Sequence, residues 1–260
     1  MSGAEQARQL PPHRPLAIGG VSAAVFVAFF VLAPSLVQAK PILLVKPPFL
    51  RATSGSSNST LSNTTCKRES LPVGPTANIT NGELRVKTFA SANRAAVGHP
   101  GCRASVSTMD WFEGPAFHVR TSGPYHVIYN WNISWNMTST CNGILVTCSN
   151  SSSAEIRLFA NVYDNTTGAW VLAASFEKTV YRILGPGSGA GYNWTFSLRL
   201  SPALNSKDHY LLYTGLSTAS WARSGCISAG CFSSSTTIDV GDHPLSSFVN
   251  GAWLDSMIVS

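Results

Sequence analysis

Asp110 and Glu113 flank Trp111-Phe112. Two carboxylates with aromatic rings beside them are what a glycosidase sets across a sugar-binding cleft. Residues three apart at a strand end rarely face each other across a substrate, so this pair is a poor acid and nucleophile. Asp239, Asp242 and His243 lie close together, but calcium takes six or more oxygen ligands, and a turn after a strand accounts for the same residues. The run Gly185-Pro186-Gly187-Ser188-Gly189-Ala190-Gly191 resembles a phosphate cradle. It lacks the Gly-Lys-Ser/Thr ending and the helix that would gather backbone amides around an anion, and reads as a hairpin connection. His99, His118, His126, His209 and His243 never stand at metal-ligand spacing, and no serine sits in a Gly-x-Ser-x-Gly elbow. No catalytic, metal or cofactor motif emerges, and the chain is expected not to be an enzyme. The alternative is a secreted carbohydrate-active enzyme on a jelly-roll scaffold. It would require an acidic pair about 5–10 Å apart in an aromatic-lined groove.

The remaining chemistry points outside the cytoplasm. Eight Asn-x-Ser/Thr signals occur, at Asn58, Asn63, Asn78, Asn132, Asn136, Asn150, Asn165 and Asn193. Several fall at predicted turns or on polar strand faces, where a bulky sugar is tolerated. The six cysteines are Cys66, Cys102, Cys141, Cys148, Cys226 and Cys231. An even count behind an export signal implies disulfides. Short separations favour Cys141–Cys148 and Cys226–Cys231 as loop staples, leaving Cys66–Cys102. A zinc site is disfavoured, because there is no C-x2-C pair and no His pair at zinc spacing.

Charge excludes one class of partner. Only 12% of the 260 residues are charged, about half the usual share, so Ser, Thr, Asn and any attached sugar must carry solubility. The net charge of +6 is spread over Arg85 with Lys87, Arg94 with Arg103, and isolated Arg120, Arg157, Arg182, Arg199 and Arg223. No basic run interleaves with aromatics, so nucleic acid is not an expected partner. Trp111, Phe112, Trp170, Trp221, Phe232 and Trp253 lie near strand ends or loops. Aromatic rings there either fill the core or stack on a sugar or protein ligand. Trp111 and Trp221 are the candidate ligand contacts.

The elements that must position these residues are strands. From Tyr125 to Thr138, Val127, Tyr129, Trp131, Ile133, Trp135 and Met137 alternate with His126, Asn130, Asn132, Ser134 and Asn136. A two-residue period with one apolar face predicts a half-buried strand, with two sequons on its wet side. Tyr192–Leu200 repeats the pattern, with Asn193 outward. Glu155–Tyr163 and Ala169–Phe176 predict a hairpin around Asp164-Asn165-Thr166-Thr167-Gly168. Roughly nine strands with frequent turn signals predict an all-β fold, an antiparallel β-sandwich of jelly-roll-like type spanning 78–260.

An N-terminal hydrophobic helix and a flexible stalk are expected to precede it. Leu16–Ala33 is apolar, Arg8, His13 and Arg14 lie before it, and Val37-Gln38-Ala39 offers small residues for cleavage. Residues 1–39 thus read as a signal peptide or signal-anchor. The Ser/Thr/Asn-rich chain within 40–77 has little to bury and reads as the stalk. If residues 1–39 stay uncleaved, the membrane is a partner through them, and no second hydrophobic span appears near the last residues. The expectation is an exported, N-glycosylated, disulfide-stapled β-sandwich, extracellular or at the cell surface, either single-pass anchored or secreted. Its role would be binding, adhesion or structure, with a carbohydrate or protein ligand.

Overall fold

Every strand named here pairs antiparallel, and the pattern follows from alternation in the sequence. A computed structural model describes residues 42–61, 66–94, 102–143, 148–227, 230–240 and 251–260; for 54–77, 93–94, 227 and 230 it describes the backbone alone. All belong to the unit Ala39–Ser260. The expected export segment 1–39 lies outside the described residues, among which no helix is long and apolar enough to cross a membrane.

Fourteen strands occur among the described residues. They are β1 (Leu43–Val45), β2 (Arg51–Leu61), β3 (Cys66–Asn78), β4 (Glu83–Arg94), β5 (Cys102–Glu113), β6 (Gly123–Pro124), β7 (Val127–Asn142), β8 (Ser152–Asp164), β9 (Val171–Leu184), β10 (Gly187–Leu200), β11 (Ala203–Leu204), β12 (Tyr210–Ile227), β13 (Gly230–Val240) and β14 (Gly251–Val259). β6 and β11 pair with each other in a small sheet of their own, and the other twelve strands form two main sheets. In the first, β10 pairs with β7. The other edge of β7 is shared end to end by β14 and β13, which in turn meet β4, and β4 carries β3. β1 extends this sheet on β14. The second sheet runs β2-β5-β12-β8-β9. β12 outruns the second sheet and turns into β13, so the two sheets are hydrogen-bonded through one long hairpin. The excess over the expected nine is β1, β2 and β3, in the stretch expected as stalk, and the two-residue β6 and β11.

The strand Val127–Asn142 is the spine of the first sheet. Val127, Tyr129, Trp131, Ile133, Trp135 and Met137 are all buried, facing the second sheet. Trp131 rests against Phe112 at 6.3 Å between ring centroids, and Phe112 against Phe49 at 4.9 Å. Large side chains sealed this way contribute roughly 1.5–3 kcal/mol each by burial. Two of the polar groups carried inside on this strand are paired across the sheets, as burial demands. The Trp131 indole N–H donates to Thr214 Oγ1 at 3.0 Å, and the Tyr129 hydroxyl donates to the Asn161 carbonyl at 2.7 Å. Towards the β12–β13 turn, the filling shrinks to Ala90, Ala92, Cys102, Ala104, Val106 and Ala222.

Two expectations are corrected. The stalk reading of 40–77 fails, because β1, β2 and β3 occupy that stretch and pair with β14, β5 and β4. β2 and β3 are edge strands, where backbone pairing on one side suffices and Ser/Thr-rich chain fits an extended backbone. Ser134, expected in water, is buried. The register of β10 shifts between Gly191 and Trp194, and the Asn193 backbone N–H donates to Ser134 Oγ at 2.9 Å.

Candidate functional site

The outer face of the second sheet collects most of the site. Along β5, Met109, Trp111 and Glu113 alternate with buried Thr108, Asp110 and Phe112. β12 sets Tyr213 opposite Glu113 and Gly215 opposite Trp111. On its other side, β12 sets Tyr213 opposite Asn161 and Gly215 opposite Phe159. Strand pairing thus brings three lanes of side chains to one patch, and the β8–β9 turn swings Trp170 over it. The result is a groove of about 330 Å³, lined by Met109, Trp111, Phe159, Asn161, Tyr163, Trp170 and Tyr213. That volume sits at the lower end of small-ligand sites, roughly 300–1,000 Å³.

Ring geometry inside the groove is defined. Trp170 stands 4.9 Å from Tyr213 and 5.7 Å from Tyr163, and Tyr163 meets Tyr213 edge-on at 5.3 Å. Trp170 is 52% exposed, so its face remains open to a ligand. Gly215 forms the floor. A Cβ there would lie 2.0 Å from the Asp110 carbonyl oxygen and 2.7 Å from the Phe159 ring, so only glycine lets Phe159 lie across β12. Polar groups are few. The Asn161 side-chain amide donates to the Tyr163 hydroxyl at 3.4 Å. Burial, and then the neighbouring Glu113 carboxylate, push the Tyr213 hydroxyl well above its ordinary ionisation range. No hydrogen-bond geometry is met at that oxygen, so Glu113 acts on it through proximity, and the phenol stays neutral at physiological pH. The groove thus combines flat apolar rings with a few neutral polar groups.

The acidic pair does not assemble. Asp110 faces inward beside Phe112, whereas Glu113 faces outward beside Trp111, so the two carboxylates occupy opposite faces of β5. No carboxylate is among the groove's lining residues. Asp239 is buried and lies 3.7 Å from the Lys87 ammonium; Asp242 and His243 lie outside the described residues. His118 and His209 stack edge-on at 6.2 Å, but no group of three metal-binding side chains occurs among the described residues. The glycine run is not a loop. Gly185 adopts a positive φ of 76° at the turn, and Gly187–Gly191 is strand β10. Its glycines admit rings: a Cβ on Gly189 would lie 2.3 Å from the Tyr181 ring, and one on Gly191 2.4 Å from the Trp135 indole nitrogen.

The predicted modification sites separate. Asn78, Asn136, Asn150 and Asn193 are exposed and Asn165 is half-buried at its turn. Asn132 is half-buried, and its amide donates to Asn193 Oδ1. The side chain of Asn58, and Asn63 altogether, lie outside the described residues. Disulfides join Cys141 to Cys148 and Cys226 to Cys231. The expected Cys66–Cys102 pair involves a side chain outside the described residues.

Of the two candidate contacts, Trp111 lies in the groove. Trp221 lies farther along the same face, in a second depression with Arg103, Arg223 and Phe232. Phe112 is core and Phe232 is buried. Sequence reasoning missed Phe159, Asn161, Tyr163 and Tyr213. Their one signal is parity: they occupy the phase opposite to the core residues Leu158, Ala160, Val162 and Leu212, although Phe159 and Tyr213 are themselves covered by their neighbours on the outer face.

No family profile matches the chain, and no curated protein sequence does. Solved structures with similarity include the C-terminal CBM6 of LamC, a marine laminarinase from Zobellia galactanivorans, at 10% identity and TM-score 0.23, covering 76% of this chain and 98% of that one. TmCBM61, solved in complex with beta-1,4-galactotriose, is similar at 8% identity and TM-score 0.24, covering 82% and 89%. The K3 cleaved adhesin domain of Lys-gingipain from Porphyromonas gingivalis W83 is similar at 11% identity and TM-score 0.22, covering 59% and 72%. At these TM-scores the likeness carries no argument about this chain's ligand.

Proposed function

We propose that this chain is an exported, N-glycosylated binding domain on a jelly-roll-like sandwich, and that it holds a saccharide in the groove of Trp111, Tyr163, Trp170 and Tyr213. The observation that carries the reading is the groove itself: the exposed ring of Trp170 and the half-buried rings of Trp111 and Tyr163, packed over buried Tyr213 and Phe159 on a floor that only glycine allows. Apolar faces of sugar rings stack on such platforms, while Asn161 and the Tyr163 hydroxyl offer hydrogen bonds to sugar hydroxyls. The role is binding rather than catalysis. Asp110 and Glu113 on opposite faces of β5 support this, as does a lining without carboxylates. Export is supported by the sequons, by the two disulfides and by the apolar segment at 16–33.

The test is a saccharide array followed by calorimetric titration of the protein made in a glycosylating host. The wild type is expected to bind a neutral oligosaccharide, and Trp111→Ala and Trp170→Ala to weaken it by about tenfold or more, the range of interface anchors. A wild type that binds no saccharide, or variants that bind it unchanged, would overturn the reading.

A further inference from the structure

The second depression on this face has a different chemistry. Arg103 on β5 and Arg223 on β12 are distant in sequence yet directly opposite in the strand register. Like charges so placed repel. Each guanidinium is held by an aromatic ring: Arg103 lies 4.9 Å from the centroid of Trp221, and Arg223 lies 5.8 Å from that of Phe232. Both arginines are exposed, and neither forms an ion pair among the described residues. Arg157 on the same sheet is the counterexample. It sits between Glu155 at 2.8 Å and Glu177 at 3.4 Å and is neutralised. Two guanidinium groups, each stacked on a ring and without an ion pair among the described residues, match a carboxylate or sulfate, which such forks bind in paired hydrogen bonds.

The depression is about 420 Å³ and shares the β5–β12 lane with the aromatic groove. Between them the outward positions are Ser105 and Ser107 on β5, and Ser217 and Ala219 on β12. Nothing bulky separates the two sites along this lane. Six residues of strand from Gly215 to Trp221 span about 20 Å, the reach of an oligosaccharide rather than a single sugar.

We propose that Arg103 and Arg223 seat an acidic group of the ligand, so that the substrate class of this face is an acidic oligosaccharide, carrying carboxylate or sulfate, with neutral rings in the Trp111 groove. The proposal rests on the saccharide reading of that groove, and the experiment separates the two. Neutral glucose-, galactose- and mannose-based hexasaccharides and the same hexasaccharides bearing sulfate esters are titrated into wild type, Arg103→Gln/Arg223→Gln and Trp111→Ala. Wild type is expected to bind a sulfated form at least about tenfold more tightly than its neutral parent, the worth of one charge-assisted contact. That preference is expected to vanish in the arginine variant and at about 1 M salt, where the screening length is about 3 Å. Neutral binding stays unchanged in the arginine variant, and its thermal midpoint stays equal or rises, because a repulsive pair is removed. A sulfated preference that survives in the arginine variant, or no preference in wild type while neutral forms bind, overturns the anion seat and leaves the groove standing. Sulfated binding lost in the arginine variant but kept in Trp111→Ala, with no neutral binding, supports the seat and overturns the groove.

Discussion

Trp131 and Trp111 occur in similar alternating stretches, and the fold puts them to opposite uses. Trp131 points between the sheets, where its ring meets Phe112 and its N–H is spent on Thr214. Trp111 precedes Phe112 in the chain and points the other way, into the groove. Around Trp131 both sheets close, and its one polar atom is paired inside the core. Around Trp111 one face of a single sheet is left open, with rings at van der Waals distance and room between them. An aromatic side chain stabilises the fold when a second layer covers it, and is available to a ligand when nothing does.

The largest effect should come from exchanging the roles. Trp131→Ala is expected to cost about 3–5 kcal/mol, the range for emptying a large core site, read as a shift in the urea midpoint. Trp111→Ala should cost under about 1 kcal/mol by the same measurement, in line with a partly exposed side chain, while removing most saccharide affinity. Equal losses of stability would break the contrast.

Next is the groove floor. Gly215→Ala drives a methyl group against the Asp110 carbonyl and the Phe159 ring. Overpacking of this kind costs about 1–3 kcal/mol, and displacing Phe159 should weaken saccharide binding as well. A variant with unchanged stability and affinity would show that the floor tolerates bulk.

Sugar attachment sharpens the distinction between covered and open faces. Peptide mapping by mass spectrometry, on protein from a glycosylating host, is expected to find Asn136 and Asn193 occupied and Asn132 bare. The Asn132 amide nitrogen, where the sugar would attach, is engaged by Asn193. Full occupancy of Asn132 alongside Asn193 would mean that the two side chains part in solution.

The smallest effect concerns the neutralised arginine. The hydrogen bond from Arg157, aided by its charge and by Thr179 against a modest burial penalty, holds the Glu155 carboxyl below its ordinary value of 4.5. Its stabilisation is therefore complete above that value and is lost as pH falls through the lower, folded-state value. Glu155→Gln should flatten this part of the acid limb by under about 1 kcal/mol, as for an ion pair whose arginine is open to solvent. An unchanged acid limb would show that Arg157 is held by Glu177 alone.

Much of the architecture was legible in residue order. The period of two in 125–138 and the hairpin at 155–176 translated directly into β7 and into β8 with β9. In 192–200 the same period located β10, but Trp194 and Phe196 are not sealed as their counterparts on β7 are: Trp194 is 43% exposed. β10 is the edge strand, and the alternation of an edge looks the same as that of a centre. The Ser/Thr-rich 51–61 misled in the opposite sense, since edge pairing asks for backbone and little burial.

Local order in the chain determined which residues share a face, because side-chain direction in a strand follows from parity alone. It also determined the disulfides that close short loops, because close neighbours in sequence cannot be far apart. Only the tertiary structure decided which face is covered and which distant residues meet: Phe159 with Gly215 and Trp111, Arg103 with Arg223, Asn132 with Asn193. Register between strands separated by a hundred residues depends on the packing of the whole sandwich, and no local pattern encodes it.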